Sequence, residues 1–413
     1  MSRIISRKTS LSRLFLTSTL FFSAIVSGWN HATAEDLQQA FAAHDVVMPD
    51  EPKSASLEPE WLLASETASE RGQHLISIDC HWAKAACEDY QAASSSPSSF
   101  PSIVLLQSGK PVSQYQGARR STALLQFLNR RSQPAVTEAL SADSLYDFRT
   151  TDDTVFIAFL GPEPDSNERL TKSFSDVALR YQDEFLFGTV VDPAVAKSEG
   201  IEAPAVVCYR PVGGDRVVLS LPSSPPEDNN NNDDSKLEAW LKEASRPILG
   251  DLTVLNHQRL LDRNYPIIYL FATTPVHRHD LTTSLSKFAR TYYDSLTFVL
   301  ADPLDFPSLM AQLGLDPTTT SLPAGAVHQL SNNRIYPYPR GRPFTSSAIQ
   351  QWGLDVYQGR VKPWTAPGTT PTTNAGDGRG AKTRIGVAGA TRKVVSMRNI
   401  PGVKIKIAGR DEL

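Results

Sequence analysis

The stretch that decides the fold lies between residues 266 and 327. It reads Pro266-Ile267-Ile268-Tyr269-Leu270-Phe271, continues through an amphipathic segment, and then gives Thr297-Phe298-Val299-Leu300-Ala301-Asp302 and Pro323-Ala324-Gly325-Ala326-Val327. The apolar runs are typical of buried strands. In the amphipathic segment, one helical stripe is apolar: Leu281, Leu285, Phe288, Ala289 and Tyr292. A strand, a helix, a second strand and a strand led by proline predict an α/β domain.

The same pattern occurs about 110 residues earlier, and in part once more before that. The second copy has strands at 154–160 and 187–192, the helix stripe Leu170, Phe174, Val177, Ala178 and Tyr181, and then Pro204-Ala205-Val206-Val207-Cys208. The first copy retains a strand at 76–79 and Pro101-Ser102-Ile103-Val104-Leu105. Closing helices are predicted at 237–244 and 347–357. We therefore expect three tandem α/β domains, each with a mixed central sheet flanked by helices.

A proline at the head of each last-mentioned strand is unusual, because proline donates no hydrogen bond to a sheet. A cis X–Pro bond leading into the strand would explain Pro101, Pro204 and Pro323. The alternative for any one of them is an ordinary loop proline. Their recurrence at matching places favours the cis interpretation.

The two ends of the chain indicate a compartment. Basic residues precede an apolar run at 14–26, and Ala32-Thr33-Ala34 offers a cleavage site, so residues 1–34 are predicted to be a secretory signal peptide. A short membrane anchor is the alternative, although the run is shorter than a span requires. The chain ends Arg410-Asp411-Glu412-Leu413, one substitution from the Lys-Asp-Glu-Leu retrieval signal. Together they predict a protein of the endoplasmic reticulum lumen that meets the retrieval receptor and has no membrane span after signal removal.

The composition excludes several classes of protein. The chain of 413 residues carries 41 Lys and Arg against 44 Asp and Glu, which gives no basic excess for nucleic-acid binding. Its 3 Cys are too few for a disulfide-dense scaffold or a multi-zinc protein. No phosphate-binding glycine loop follows a strand, and the pair His277 and His279 is expected to lie on a solvated surface. We therefore predict neither a cofactor nor a metal.

Several segments of the chain resemble one known protein family. The segments Asp147-Phe148-Arg149-Thr150 and Phe185-Leu186-Phe187-Gly188 resemble the first non-catalytic domain of the protein disulfide-isomerase family. Leu249-Gly250 and residues 266–272 resemble the opening of the family's second non-catalytic domain. The end of that domain resembles Tyr357-Gln358-Gly359-Arg360-Val361-Lys362-Pro363. The resemblance implies tandem thioredoxin-like domains. No segment of the chain resembles the family's second catalytic domain. We therefore expect a signal peptide at 1–34 and a degenerate catalytic-type domain at 35–136. Two non-catalytic domains should follow at 137–246 and 247–363, and a disordered, basic, low-complexity tail at 364–413.

The first domain departs from the family at the residues that carry its chemistry. Leu57-Glu58-Pro59-Glu60-Trp61 matches the family's helix motif, and counting back from it places Glu51 and Ser54 where the two active cysteines belong. Thiol–disulfide exchange requires a thiolate nucleophile and a second, resolving thiol, and neither residue provides one. No catalytic residue is therefore assigned.

The cysteines that are present lie elsewhere. Some family members carry a structural pair with the spacing of Cys80 and Cys87, so the resemblance implies a disulfide between them. Two free thiols are the alternative, and a redox-active pair is a further one, disfavoured because the gap is wider than a CxxC motif. Cys208 lies in an apolar strand and is predicted to be a core thiol.

Three kinds of function are compatible with these residues. One is a redox-inactive chaperone that holds unfolded secretory polypeptides on its third domain, through residues that the resemblance assigns: Ile248, Leu249, Leu252, Leu261, Phe271, Tyr357 and Trp364. Most of these could instead belong to the core, Phe271 above all. The alternatives are a disulfide isomerase that uses Cys80 and Cys87, and a non-catalytic subunit of a larger assembly. The basic tail could be a spacer or an altered reading of the gene.

Overall fold

The computed structural model describes residues 45–50, 57–79, 103–107, 110–161, 164–210, 215–221 and 233–366. Within these ranges the chain forms three mixed β-sheets with helices on their faces. We refer to each sheet with its helices as the first, second and third unit. Within these residues no helix has the length and apolar character needed to cross a bilayer.

The first unit has four strands in the order β2-β1-β3-β4. The strand β1 pairs in parallel with β2 and antiparallel with β3. Trp61 and Phe127, from the two helices, are buried in one core cluster. The elements of this unit are β1 (Asp45–Asp50), α1 (Glu58–Glu70), β2 (His74–Asp79), β3 (Ile103–Gln107), β4 (Lys110–Tyr115) and α2 (Ser121–Ser132).

The second unit repeats this order as β6-β5-β7-β8, with β5 parallel to β6 and antiparallel to β7. Every residue of β5 and β6 is buried, as expected for central strands covered on both faces. Its elements are α3 (Ala142–Thr150), β5 (Val155–Phe159), α4 (Pro164–Tyr181), β6 (Leu186–Val190), α5 (Pro193–Ser198), β7 (Ala205–Arg210), β8 (Asp215–Ser220) and α6 (Asp233–Ala244).

The third unit adds one edge strand, giving the order β13-β12-β10-β11-β9. The central strand β10 is again buried along its whole length. The elements are β9 (Leu249–Asp251), α7 (Val254–Asp262), β10 (Ile267–Phe271), α8 (Pro275–Thr291), β11 (Thr297–Ala301), α9 (Pro307–Gln312), β12 (Ala324–Gln329), β13 (Arg334–Pro337) and α10 (Ser346–Tyr357).

Two of the three singled-out prolines lie immediately before a strand. The peptide bonds Ala203–Pro204 and Leu322–Pro323 are cis, and β7 and β12 begin at the next residue in each case. The missing N–H of each proline therefore falls outside the ladder of the following strand. Pro101 lies outside the described residues.

Pairs of arginine and carboxylate residues join the three units. Arg130 of α2 contacts Asp152 of the second unit at 2.6 Å, and both side chains are almost fully buried. Arg119 of the first unit contacts Asp305 of the third at 2.8 Å. Arg290 of α8 donates to both carboxylate oxygens of Asp215, at 2.6 and 2.8 Å. The units enclose a cleft of about 980 Å³ lined by residues of all three.

Candidate functional site

The structure corrects two residues that were assigned to an exposed surface. Phe271 is 0% exposed and Leu252 is 2% exposed, and both belong to the core cluster under one face of the third sheet. A side chain that is buried in the folded chain cannot contact a partner without unfolding its surroundings. Phe271 and Leu252 therefore support the surface from below and do not form it.

The remaining predicted residues do not lie together. Ile248 and Leu249 are half-buried against the core on the opposite face of the sheet, whereas Leu261 and Trp364 pack on the same face as Phe271. Tyr357, at the end of α10, is 62% exposed. The set predicted from the sequence is therefore divided between the two faces of one sheet.

One face of the third unit carries a group of large apolar side chains that are only half-buried. All five pack against the same core cluster, and we call them the α7 surface: Leu261, Phe306, Leu322, Leu330 and Trp364. They come from α7, from the loops before α9 and β12, from the turn after β12 and from the segment after α10. An apolar group that the fold leaves partly uncovered is the common sign of a binding surface.

Trp364 shows how a chain segment can occupy this surface. Its backbone N–H donates to the carbonyl oxygen of Ile335 at 2.8 Å, and the two residues form an antiparallel bridge at the edge strand β13. Its ring lies on Gly314, where an added Cβ would stand 2.7 Å from the ring. Gly314 also has φ of +75°, which favours glycine. An extended backbone and an aromatic side chain therefore fit here together.

A histidine lies beside the apolar group. The Nε2 atom of His257 is 3.2 Å from the hydroxyl of Tyr269, and its ring meets that of Phe306 edge to face with centroids 5.8 Å apart. Burial lowers the pKa of His257, and the neighbouring His328 lowers it further. In α7, Val254 precedes His257 by three residues and Leu261 follows it by four, so the three share one side of the helix.

Sequence reasoning missed four members of this region: Phe306, Leu322, Leu330 and His257. The helical spacing of His257 with Leu261 was a usable signal. The other three lie in loops, where apolar residues follow no periodic pattern, so only the tertiary structure brings them to one face.

The described cysteine is chemically inert. Cys208 is fully buried in β7, and its Sγ lies 3.4 Å from the carbonyl oxygen of Ala244. Burial raises the pKa of its thiol to about 12, which leaves almost no thiolate at neutral pH. Several predicted residues lie outside the described residues: Glu51, Ser54, Cys80, Cys87 and Arg410 to Leu413.

No group of three or more metal-binding side chains occurs among the described residues. Of the two histidines predicted to be solvated, His279 is exposed and His277 is half-buried. Arg278 between them is mostly buried and contacts Asp251 at 2.8 Å and Asp302 at 3.1 Å. These contacts hold the start of α8 against the ends of β9 and β11.

Comparison with known proteins finds a thioredoxin-like domain and relatives among the disulfide-isomerases. A family model described as a thioredoxin-like domain matches residues 163–353. The protein disulfide-isomerase of Humicola insolens is 25% identical over 308 residues, which cover 75% of this chain and 57% of that protein. That of Aspergillus oryzae is 24% identical over 321 residues, covering 78% and 58%. The chain is therefore related to the protein disulfide-isomerases over about three quarters of its length.

The chain spans a little over half the length of these curated disulfide-isomerases. Among solved structures, human ERp44 in form II is similar over 80% of this chain and 88% of its own, with 16% identity and a TM-score of 0.36. The bb fragment of ERp72 is similar over 56% of this chain and 100% of its own, with 17% identity and a TM-score of 0.42. Both scores are low, and no argument about function rests on these two structures.

Proposed function

We propose that this relative of the disulfide-isomerases acts as a redox-inactive chaperone that holds unfolded polypeptides on the α7 surface. The observation that carries the proposal is the group of five half-buried apolar side chains on one core. Such a group stabilises an extended apolar segment by removing it from water, at roughly 25 cal/mol for each Å² of apolar area. The family's relatives act on polypeptides, as their name states.

The Trp364 segment supports the choice of an unfolded client. Its hydrogen bond to Ile335 and its ring on Gly314 are contacts that any extended peptide with a large apolar residue can reproduce. A client would displace this segment and gain the area that Trp364 now covers. The surface is therefore occupied weakly by the chain itself until a client arrives.

Three residues support the proposed absence of redox activity: two that replace the family's active cysteines, and one buried cysteine. Glu51 and Ser54 stand at the family's active positions, and Cys208 has a raised thiol pKa and no access to solvent. Exchange would need Cys80 and Cys87 to act in place of the missing motif. We propose instead that they form a structural disulfide.

The proposal includes a place in the cell and an organisation of the chain. The apolar run at 14–26 and the ending Arg410-Asp411-Glu412-Leu413 support residence in the lumen of the endoplasmic reticulum. The three sheets support three tandem thioredoxin-like domains, of which the third binds the client.

The test separates holding from redox chemistry. The purified chain is assayed for suppression of the aggregation of chemically denatured citrate synthase, and separately for insulin reduction. We expect suppression without reduction. Leu261→Asp should reduce suppression at least threefold, because a carboxylate in the apolar surface must be desolvated by the client. The matched control is Leu354→Asp, on the exposed side of α10, which should leave suppression unchanged. Insulin reduction that disappears in Cys80→Ser would refute the proposal.

A further inference from the structure

The side chain of His257 stands where a client on the α7 surface must cover it. Its flanking neighbours on one side of α7 are Val254, which is 63% exposed, and the half-buried Leu261. Across the surface it meets the ring of Phe306. An apolar segment that contacts both Leu261 and Phe306 therefore lies over the imidazole between them.

The two ring nitrogens of His257 have different surroundings. Nε2 lies 3.2 Å from the hydroxyl of Tyr269, which is buried and whose pKa is raised by that burial, so that it stays neutral. The hydrogen-bond partner of His257 among the described residues is this hydroxyl, and Nδ1 is not one of the buried unsatisfied atoms. In the free protein, water can therefore solvate Nδ1 when the ring is protonated.

We propose that protonation of His257 releases polypeptides from the α7 surface as the pH falls. This inference rests on the proposed function, because it concerns the regulation of the same surface. A client that covers Nδ1 excludes the water on which the imidazolium depends. The charged ring would then be buried among Tyr269, Phe306 and client side chains without a counter-ion.

The direction follows from linkage. Burial already lowers the pKa of His257 in the free chain, and a client lowers it further by removing more solvent. The complex therefore holds the proton less tightly than the free chain does. Client binding is strongest above the pKa of the free chain and weakens as the pH falls through it.

The other titratable groups around His257 do not supply the same response. His328 of β12 bonds Asn333 through Nε2 at 2.8 Å, and its effect on His257 is repulsion between like charges. Arg259 of α7 pairs with Glu184 of the second unit and faces away. Asp305, next to Phe306, pairs with Arg119, and burial raises its pKa to about 6. Protonation of Asp305 removes a negative charge beside Phe306, so Asp305→Asn is the control for this carboxyl group.

The experiment measures the affinity of the full chain for fluorescently labelled, reduced and carboxymethylated α-lactalbumin at pH 7.5 and pH 5.5. For the unaltered chain we expect Kd to rise on acidification by less than about tenfold, because the pKa of His257 lies below that of a free imidazole, and for His257→Gln we expect no rise. His257→Phe, which keeps the ring contacts, should give the same flat profile if His257→Gln folds poorly. His328→Gln and Asp305→Asn should retain the acid response.

Each result bears on the inference in a distinct way. An acid response that persists in both His257 variants overturns it, as does a response that disappears in Asp305→Asn. If Leu261→Asp binds the probe normally at pH 7.5, the proposed client surface itself is wrong and the inference is overturned with it. If Leu261→Asp weakens binding and His257→Gln keeps the acid response, the inference is overturned and the proposed function stands.

Discussion

The second and third units arrange the same strands in the same order but close one of their cores differently. In the second unit, the core under α3 and α5 is joined by one half-buried apolar residue among those described, the small Ala203. In the third, the core under α7 and α9 is joined by the five large side chains of the α7 surface. On this face the same sheet topology is therefore closed in the second unit and carries an apolar platform in the third, whereas the opposite face of each unit has half-buried apolar side chains such as Trp240 and Phe344.

The strands beneath this face differ in the residues that they direct into the core. The inward residues of β7 on this face include Val207 and Tyr209, whereas the corresponding positions of β12 hold Ala326 and His328. The paired positions of β10 hold the larger Ile267 and Tyr269, where β5 has Val155 and Ile157, so the two units divide the volume of this layer differently between their strands. In the third unit, the ring of Trp364, supplied from beyond α10, also packs on this core.

The largest expected effect compares burial in the two units. Leu145 of α3 is 1% exposed, and Leu145→Asp should lower the free energy of unfolding by at least about 4 kcal/mol, because it buries an unpaired carboxylate. Leu261→Asp should cost only about 1 kcal/mol, since the aspartate can reach water. Urea unfolding followed by circular dichroism measures both. Equal losses would show that Leu261 is a core residue and that the third unit is as closed as the second.

A second test concerns the other core of the second unit, beneath α4 and α6, to which Cys208 belongs. With Cys80 and Cys87 both changed to serine, Cys208 is the remaining thiol of the chain. Its pKa of about 12 should make its reaction with a disulfide reagent at pH 8 about 10³-fold slower than that of an exposed thiol. Absorbance of the released thiolate follows the reaction. Fast labelling under native conditions would show that β7 opens readily and that the described burial of Cys208 does not protect it.

The third test concerns Asp305, which lies next to Phe306 of the α7 surface and contacts Arg119 of the first unit. Because burial raises the pKa of Asp305 to about 6, the folded chain holds this proton more tightly than the unfolded chain. Its stabilising contribution is present below about pH 4 and is lost as the pH rises through about 6, an effect on the order of 2 kcal/mol.

Asp305→Asn should remove this decline between pH 4.5 and 7.5, which urea titrations at the two pH values measure. The matched control is Asp316→Asn: Asp316 is exposed, and hydrogen bonds from Thr318 lower its pKa to about 2, outside this window. The prediction is wrong if the unaltered chain and Asp305→Asn lose the same stability over this range.

The repeated elements could be predicted because their pattern is local. The strand predicted at 267–271 is β10 itself, and the helix stripe from Leu281 to Tyr292 falls within α8 and its C-terminal cap. Buried central strands are continuous apolar runs, and a helix on one face of a sheet has one apolar stripe. Both signals lie within a few residues of sequence.

The site could be predicted only in part, because partial burial is a tertiary property. Phe271 and Leu261 are both apolar and near in sequence, yet one is buried beneath the sheet's helices and the other lies at their edge. The contact of Arg119 with Asp305 joins residues far apart in the chain and follows no periodic pattern. The predicted surface residues are divided between the two faces because Ile248 and Leu249, at the start of β9, pack against the core opposite Leu261 and Trp364. This also depends on the tertiary structure.

The smallest expected effect tests whether Trp364 only occupies the platform or also builds it. If the ring is a substitute for a client, Trp364→Ala frees the place on Gly314 and should tighten client binding by about threefold, equivalent to about 0.7 kcal/mol. The same variant should lose little stability, because the ring is half-buried and Ile335 keeps its place in β13. Anisotropy of the labelled α-lactalbumin and urea unfolding measure the two quantities. Tyr357→Ala is the matched control, since its side chain is exposed and should affect neither. Weaker binding in Trp364→Ala would mean that the ring is part of the platform, and the third unit would then be open over a smaller area than the comparison with the second unit implies.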